Sequence, residues 1–236
     1  LASLVPAVCQ LFFMRYVSYN IPLDLYGKYV LLLIFVSGCN LIGMTLVQSS
    51  AVRFYHEAQD KSQFIGEQVA LVILFSCLFL PLFILYFVMN DDYSFLIGAM
   101  LFCYFLFYNV LLLAKSMVLQ ALKRGVYLLF IIAETFSNLI LPILIFQIWP
   151  TIEGLVFAIS AGVSSSSVLI FLFSKKINFS LLKIKYSNLN KYFIYSYPFV
   201  LSSMGSWTIS FSDRYFIDWL ISPSAVGVYS LLSQFG

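Results

Sequence analysis

The sequence contains little charge and a single histidine. Asp, Glu, Lys and Arg together make up 10% of the 236 residues, whereas about 25% is usual in soluble domains. Hydrophobic residues account for 62% of the chain, and a soluble core of this length could not bury so much apolar surface. The low charge therefore excludes a soluble protein and predicts an integral membrane protein.

The chain also lacks the motifs of metal, nucleotide and nucleophilic sites. It contains no P-loop, nucleophile elbow or Gly-rich nucleotide motif. The four cysteines lie in apolar segments without a Cys-x-x-Cys pair, so we expect small buried hydrophobic residues. His56 stands beside Glu57 and is expected to be a solvated polar residue. We therefore expect no cofactor, no metal, no nucleic-acid partner and no enzymatic activity.

Long apolar runs occupy most of the sequence. Because a helix needs roughly 20 residues to cross about 30 Å of hydrocarbon, the runs predict seven membrane spans and the beginning of an eighth. The predicted spans are 1–20, 25–52, 66–89, 93–122, 126–149, 152–174, 192–221 and 225 onward. The longest connection, 175–191, mixes lysines with apolar residues and is predicted to lie along the membrane surface. The predicted fold class is all-α, a polytopic transmembrane helical bundle.

The basic residues are distributed unevenly between the predicted loops. Nine of the 13 lie in the loops after spans 2, 4 and 6, and none lies after spans 1, 3, 5 or 7. Cytoplasmic loops carry an excess of Lys and Arg. The pattern therefore predicts that the basic loops and the amino-terminal end of span 1 are cytoplasmic.

A short pattern occurs twice, once near each end of the chain. Arg15-Tyr16-Val17 precedes Gly27-Lys28-Tyr29, and Arg214-Tyr215-Phe216 precedes Gly227-Val228-Tyr229. The Arg-to-Gly separation is 12 residues in the first copy and 13 in the second. Two arginines that recur at one depth in membrane helices predict an internally duplicated transporter with a cationic cavity.

Charged residues also occur within the predicted spans, where exposure to lipid would cost several kcal/mol. They are Arg15, Lys28, Lys115, Arg214, Glu134, Asp213 and Asp218. Lys115 and Glu134 each lie about eight residues from the same membrane side, roughly 12 Å deep at a rise of about 1.5 Å per residue. The sequence predicts that they are close together, either as a structural ion pair or as a proton- or cation-coupling site.

The arginines have alternative interpretations. Arg15 and Arg214 could extend toward the interface or form a cavity-facing anion clamp, which the repeat favours. Asp213 is expected to point away from Arg214 because adjacent helical residues lie on different faces. Arg53 could anchor the membrane edge or line a cavity mouth. The many hydroxyl residues of span 7 predict a water-filled cavity wall.

Several residues of the last two spans resemble a known family. Tyr197-Pro198 opens span 7, and Trp207, Ser212-Asp213-Arg214-Tyr215 and Ala225-Val226-Gly227-Val228-Tyr229-Ser230 follow. This order is similar to the polysaccharide transporter family, the Wzx-like O-antigen and capsule repeat-unit flippases. These belong to the multidrug/oligosaccharidyl-lipid/polysaccharide (MOP) exporter superfamily. The Asp-Arg-Tyr to Gly-x-Tyr-Ser block is the specific part of the resemblance.

The resemblance implies two six-helix lobes. Residues 1–174 would form the first lobe, 175–191 a cytoplasmic or interfacial linker, and 192–236 the truncated start of the second lobe. Such proteins are multi-pass proteins of the bacterial cytoplasmic (inner) membrane. They move undecaprenyl-diphosphate-linked oligosaccharides from the cytoplasmic to the periplasmic leaflet by alternating access.

The resemblance also implies a set of substrate-binding residues. Arg15, Arg53 and Arg214, with Lys28 and Lys115 next, are the candidates to bind the diphosphate and sugar acids. Guanidinium groups match phosphate oxygens geometrically. The acidic residues Glu134 and Asp213 are candidates for ion coupling or structural ion pairs. The implied partners are the lipid-linked oligosaccharide, membrane lipids, a coupling proton or sodium ion, and a polysaccharide polymerase.

Other functions of membrane proteins stay open at this point. A drug or cation antiporter of the same superfamily would favour acidic residues in its cavity, unlike the basic residues seen here. A peptidoglycan-precursor flippase is another alternative. A membrane-embedded polysaccharide polymerase or glycosyltransferase would need sizeable extramembrane loops for its catalytic groups, and the predicted periplasmic loops are only a few residues long.

Overall fold

The computed structural model describes residues 4–90, 93–173 and 186–233, which form eight helices and no strand. The helices are α1 Leu4–Asn20, α2 Leu23–Phe54, α3 Lys61–Met89, α4 Phe95–Gln120, α5 Arg124–Ile148, α6 Ile152–Phe173, α7 Tyr186–Leu220 and α8 Pro223–Leu232. This architecture confirms the predicted all-α fold class. Most of the predicted 175–191 linker lies outside the described residues, and from Tyr186 the chain is already helical.

The starts of α3 and α8 follow from local capping chemistry. The Asp60 carboxylate accepts hydrogen bonds from the backbone N–H groups of Ser62 and Gln63 at 2.9 and 3.1 Å, which satisfies donors that a helix start leaves free. The cap places the start of α3 five residues before the predicted span. Ser222 caps α8 in the same way, with Pro223 in its first turn.

Within the described residues, four helices, α2 to α5, are long and apolar enough to cross a membrane. Helix α6 has 22 residues, α1 has 17 and α8 has 10. The longest helix, α7, has 35 residues but carries many hydroxyl side chains. The outer face of α3 exposes Leu78, Leu82 and Leu85, as a lipid-facing surface requires. The chain therefore has the features of a multi-pass membrane protein.

Helix α2 is the central element of the bundle. It packs against α7 and α8 on one side and against α3 and α4 on the other, while α6 packs against α4 and α5. Helix α1 packs against α5. Fully buried Leu32 and Val36 of α2 meet Leu101 and Phe105 of α4 in the largest apolar cluster. This arrangement leaves space between α1, α2 and α5.

Helices α2 and α8 cross at two glycines that occupy corresponding positions in the repeat. A Cβ atom at Gly27 would overlap the carbonyl oxygen of Pro223, and one at Gly227 would overlap that of Leu23. Each glycine thus faces the carbonyl four residues before the other. Only residues without a side chain permit this backbone approach. The repeat identified in the sequence therefore marks a reciprocal helix crossing.

Helices α2 and α7 run antiparallel along most of their length. The indole N–H of Trp207 donates to Ser37 Oγ at 3.0 Å, and Ser196 Oγ donates to the Leu46 carbonyl at 3.0 Å. The Trp207 ring covers Gly38. Several polar groups of α7 are therefore used in packing against α2.

Candidate functional site

A cavity of about 650 Å³ lies between α1, α2 and α5, with single contributions from α4 and α7. Its volume falls within the range of roughly 300–1,000 Å³ of small-molecule pockets. The lining residues are Pro6, Cys9, Gln10, Phe13, Tyr26, Tyr29, Val30, Leu33, Ile34, Ser37, Lys115, Tyr127, Ile131, Glu134, Thr135, Asn138, Leu139 and Phe211. Helix α7 was predicted to form a cavity wall, but among its described side chains only Phe211 lines this cavity.

The two charged residues of the lining form an ion pair. Lys115 Nζ on α4 lies 2.6 Å from Glu134 Oε2 on α5, and the side chains are only 16% and 14% exposed. Their predicted proximity is confirmed. At this separation and burial each charge offsets the other, because the attraction strengthens where water is scarce. Among the described lining residues the cavity therefore carries no net formal charge.

Neutral polar and aromatic groups surround this pair. The carboxamide oxygen of Asn138 is buried without a hydrogen-bond partner, although the residue lines the cavity. The rings of Phe13, Tyr29 and Tyr127 supply aromatic surface. The sequence pattern did not identify these residues as part of a site. On α5 the lining residues recur every three or four positions from Tyr127 to Leu139, and this helical period was the available signal.

Arg214 contacts its own chain rather than the cavity. Its guanidinium lies 3.2 Å from Asp213 Oδ1 and donates to the Ser210 carbonyl at 2.6 Å and to Ser233 Oγ at 2.9 Å. Tyr229 of α8 donates to the other oxygen of Asp213. The expectation that Asp213 points away from Arg214 is wrong, because the long arginine side chain bends back along its helix. This network joins α7 to α8.

The three remaining cationic candidates also lie outside the cavity lining. Lys28 Nζ is 3.9 Å from Asp24, and Arg53 forms an exposed pair with Glu57 at 2.9 Å. Arg15 is exposed, and within the described ranges it forms no ion pair. Of the five cationic residues predicted to bind substrate, the structure therefore places only Lys115 in the cavity.

A second polar cluster, which the sequence analysis missed, lies between the start of α3 and the start of α7. Glu67 is 3% exposed and accepts hydrogen bonds from Gln63 at 3.3 Å, Asn188 at 3.1 Å and the Tyr192 hydroxyl at 3.2 Å. Two of these donors belong to α7. The sequence feature that could have indicated this cluster is the polar pair Glu67-Gln68 at the start of a long apolar run.

An exposed ion pair and several aromatic contacts join the start of α7 to the end of α2. Lys191 of α7 lies 3.3 Å from Glu57 and 4.2 Å from the centre of the Phe54 ring. Phe54 also packs against Tyr192 and Tyr195.

The described ranges contain no group of three or more His, Cys, Asp or Glu residues that could bind a metal.

Comparison with known proteins agrees with the resemblance seen in the last two spans. Neither the curated proteins nor the solved structures give a match. A family model described as "Polysaccharide biosynthesis protein" matches residues 1–236. Its members are polysaccharide transporters. The chain belongs to this family of Wzx-like polysaccharide transporters of the MOP superfamily.

Proposed function

We propose that the protein is a flippase that moves lipid-linked oligosaccharide repeat units from the cytoplasmic to the periplasmic leaflet of the bacterial inner membrane. Family membership supports a polysaccharide-related transporter. The observation that carries the finer proposal is the cavity between α1, α2 and α5, with its intramembrane ion pair. O-antigen, capsule or another exopolysaccharide repeat unit would be the cargo.

The chemistry of such a cargo requires a polar passage. Sugar hydroxyls lose hydrogen bonds to water when they enter hydrocarbon, which costs several kcal/mol unless protein groups replace those bonds. The cavity offers an ammonium, a carboxylate, amides and hydroxyls at membrane depth. A passage of this kind can carry the sugar head while the lipid chain stays in the bilayer. Alternating access between the lobes would expose the cavity to each side in turn.

We further propose that Arg15 contacts the diphosphate of the carrier lipid. Arg15 is exposed on α1, about 200° around the helix axis from Phe13 of the cavity lining, so it lies outside the cavity on the opposite face of the same helix. Its guanidinium is free to form paired hydrogen bonds with phosphate oxygens. The other cationic candidates, Lys28, Arg53, Lys115 and Arg214, each have an acidic partner within the chain, so they are secondary candidates.

Coupling and partners are part of the same proposal. Glu134 and Asp213 are bound to Lys115 and Arg214, respectively, and this pairing favours structural roles over ion coupling for both. A proton or a sodium ion as coupling ion, and a polysaccharide polymerase as partner, stay predictions.

The first experiment is complementation in flippase-deficient hosts that make repeat units of different composition. The full-length gene should restore surface polysaccharide in at least one host. Arg15→Ala should reduce the amount about tenfold or more, because a hydrogen bond to a charged group contributes about 1.5–3 kcal/mol. Arg124→Ala, which removes another exposed arginine, should leave it unchanged.

The outcomes separate the two parts of the proposal. Absence of polymer in every host, despite correct membrane insertion, would contradict the flippase. Normal polymer with well-expressed Arg15→Ala would retain the flippase and exclude the diphosphate contact.

A further inference from the structure

The cavity has an electrostatic property that the family resemblance does not imply. A cationic cavity was expected from the intramembrane arginines and lysines. Instead, the described lining contains one cation and one anion, Lys115 and Glu134, in direct contact. Lys115 therefore cannot act as an unopposed positive charge toward a ligand.

We propose that this cavity binds the uncharged sugars of the repeat unit and discriminates against acidic sugars. The inference rests on the proposed flippase function and names the substrate class of the same site. Glu134 is the residue that determines this specificity, because its carboxylate masks Lys115 and would repel a sugar carboxylate. The diphosphate, which carries the negative charge of the cargo, stays outside this pocket.

The composition of the walls matches neutral carbohydrate. Sugars present hydroxyl groups around apolar ring faces. The paired charges offer a strong donor at Lys115 and a strong acceptor at Glu134, at the two ends of one 2.6 Å contact. Tyr29 and Tyr127 supply aromatic surface for the ring faces.

The charge balance opposes binding of a carboxylated sugar. At a separation of a few ångströms in a partly buried site, a second carboxylate beside Glu134 is repelled as strongly as it is attracted by Lys115. The acid must also lose its hydration on entering the cavity, and no surplus cation compensates for this loss. A neutral sugar avoids both costs.

The test compares two lipid-linked oligosaccharides with the same carrier and sugar sequence, which differ only in one hexose versus the corresponding hexuronic acid. Both are reconstituted with the purified full-length protein in proteoliposomes, and their translocation rates are measured. The wild type should move the neutral substrate at least about tenfold faster, a difference of about 1.4 kcal/mol. Glu134→Gln leaves Lys115 unopposed and should bring the ratio close to one or reverse it.

Two controls isolate the charge. Glu57→Gln makes the same chemical change at an exposed pair with Arg53, outside the cavity lining, and should keep the wild-type ratio. The double variant Lys115→Gln with Glu134→Gln restores neutrality and should also keep the preference for the neutral substrate. Competition of soluble neutral and acidic trisaccharides against wild-type transport gives the same comparison without a substitution in the cavity.

Each result has a defined consequence. A wild type that prefers the acidic substrate, or an active Glu134→Gln variant with the wild-type ratio, would overturn the inference and leave the flippase intact. Stronger inhibition by the acidic trisaccharide than by the neutral one would do the same. A wild type that moves neither substrate would contradict the proposed function itself.

Discussion

The glycine crossing of α2 and α8 yields a prediction with a defined sign. Gly27→Ala places a methyl group where the carbonyl oxygen of Pro223 lies. Neither backbone can move aside locally, so the two helices must separate along the crossing. Overpacking of this kind costs about 1–3 kcal/mol, and we expect the upper end because both partners are backbone.

Helix propensity acts in the opposite direction. Replacement of a helical glycine by alanine gains about 1 kcal/mol from reduced backbone entropy. For Gly27→Ala the expected net loss is therefore about 2 kcal/mol. Gly205→Ala is the matched control, since it changes the same residue type within α7 and its Cβ would meet nothing within 4 Å. This control should be neutral or stabilise the protein by up to about 1 kcal/mol.

The assay is thermal unfolding of the purified full-length protein in detergent, with both variants measured beside the wild type. The unfolding midpoint of Gly27→Ala should be the lowest of the three, and Gly227→Ala should fall with it because the contact is reciprocal. Equal midpoints for Gly27→Ala and Gly205→Ala would refute the close backbone approach. A drop for Gly27→Ala without one for Gly227→Ala would refute the reciprocity.

Two further predictions concern buried polar contacts. Tyr192→Phe removes the hydroxyl that donates to the buried Glu67 carboxylate and should lower the free energy of unfolding by about 1.5–3 kcal/mol. Tyr197→Phe at a half-exposed position is the control, and equal stability of the two variants would contradict the contact. Lys115→Met leaves Glu134 buried without its cation and should cost about 3 kcal/mol, whereas the double variant Lys115→Met with Glu134→Leu should lie within about 1 kcal/mol of the wild type. Denaturation curves of Lys115→Met, Glu134→Leu and the double variant measure this coupling, and additive losses would argue against a pair.

Membrane architecture was predictable from the sequence because it depends on short-range properties. Hydrophobic length alone located the helices from 25–52 to 152–174 within a few residues of their observed bounds, apart from α3. The start of α3 was missed because the Asp60 cap extends the helix beyond its apolar run. The rise per residue of a helix likewise predicted that Lys115 and Glu134 lie at the same depth in the membrane.

The pairing of side chains at the functional site could not be predicted, because it depends on contacts between residues that are distant in the sequence. Repeat symmetry suggested equivalent roles for Arg15 and Arg214, yet Arg214 is bound to Asp213 and Ser233 whereas Arg15 is exposed. Side-chain rotamers and the neighbours from other helices decide such pairings. Glu67 was missed for the same reason, since its donors Asn188 and Tyr192 lie more than 120 positions along the chain.

The sequence by itself determined that the protein lies in a membrane and where most of its helices run, since composition and apolar length decide whether a chain inserts into a bilayer. Its motif residues indicated the family. The sequence also marked Gly27 and Gly227 as equivalent positions. Tertiary structure alone decided which charges oppose one another, because a Coulomb interaction depends on distance and burial rather than on sequence position. For that reason the predicted cationic cavity is, in the folded bundle, a cavity lined by the balanced pair of Lys115 and Glu134.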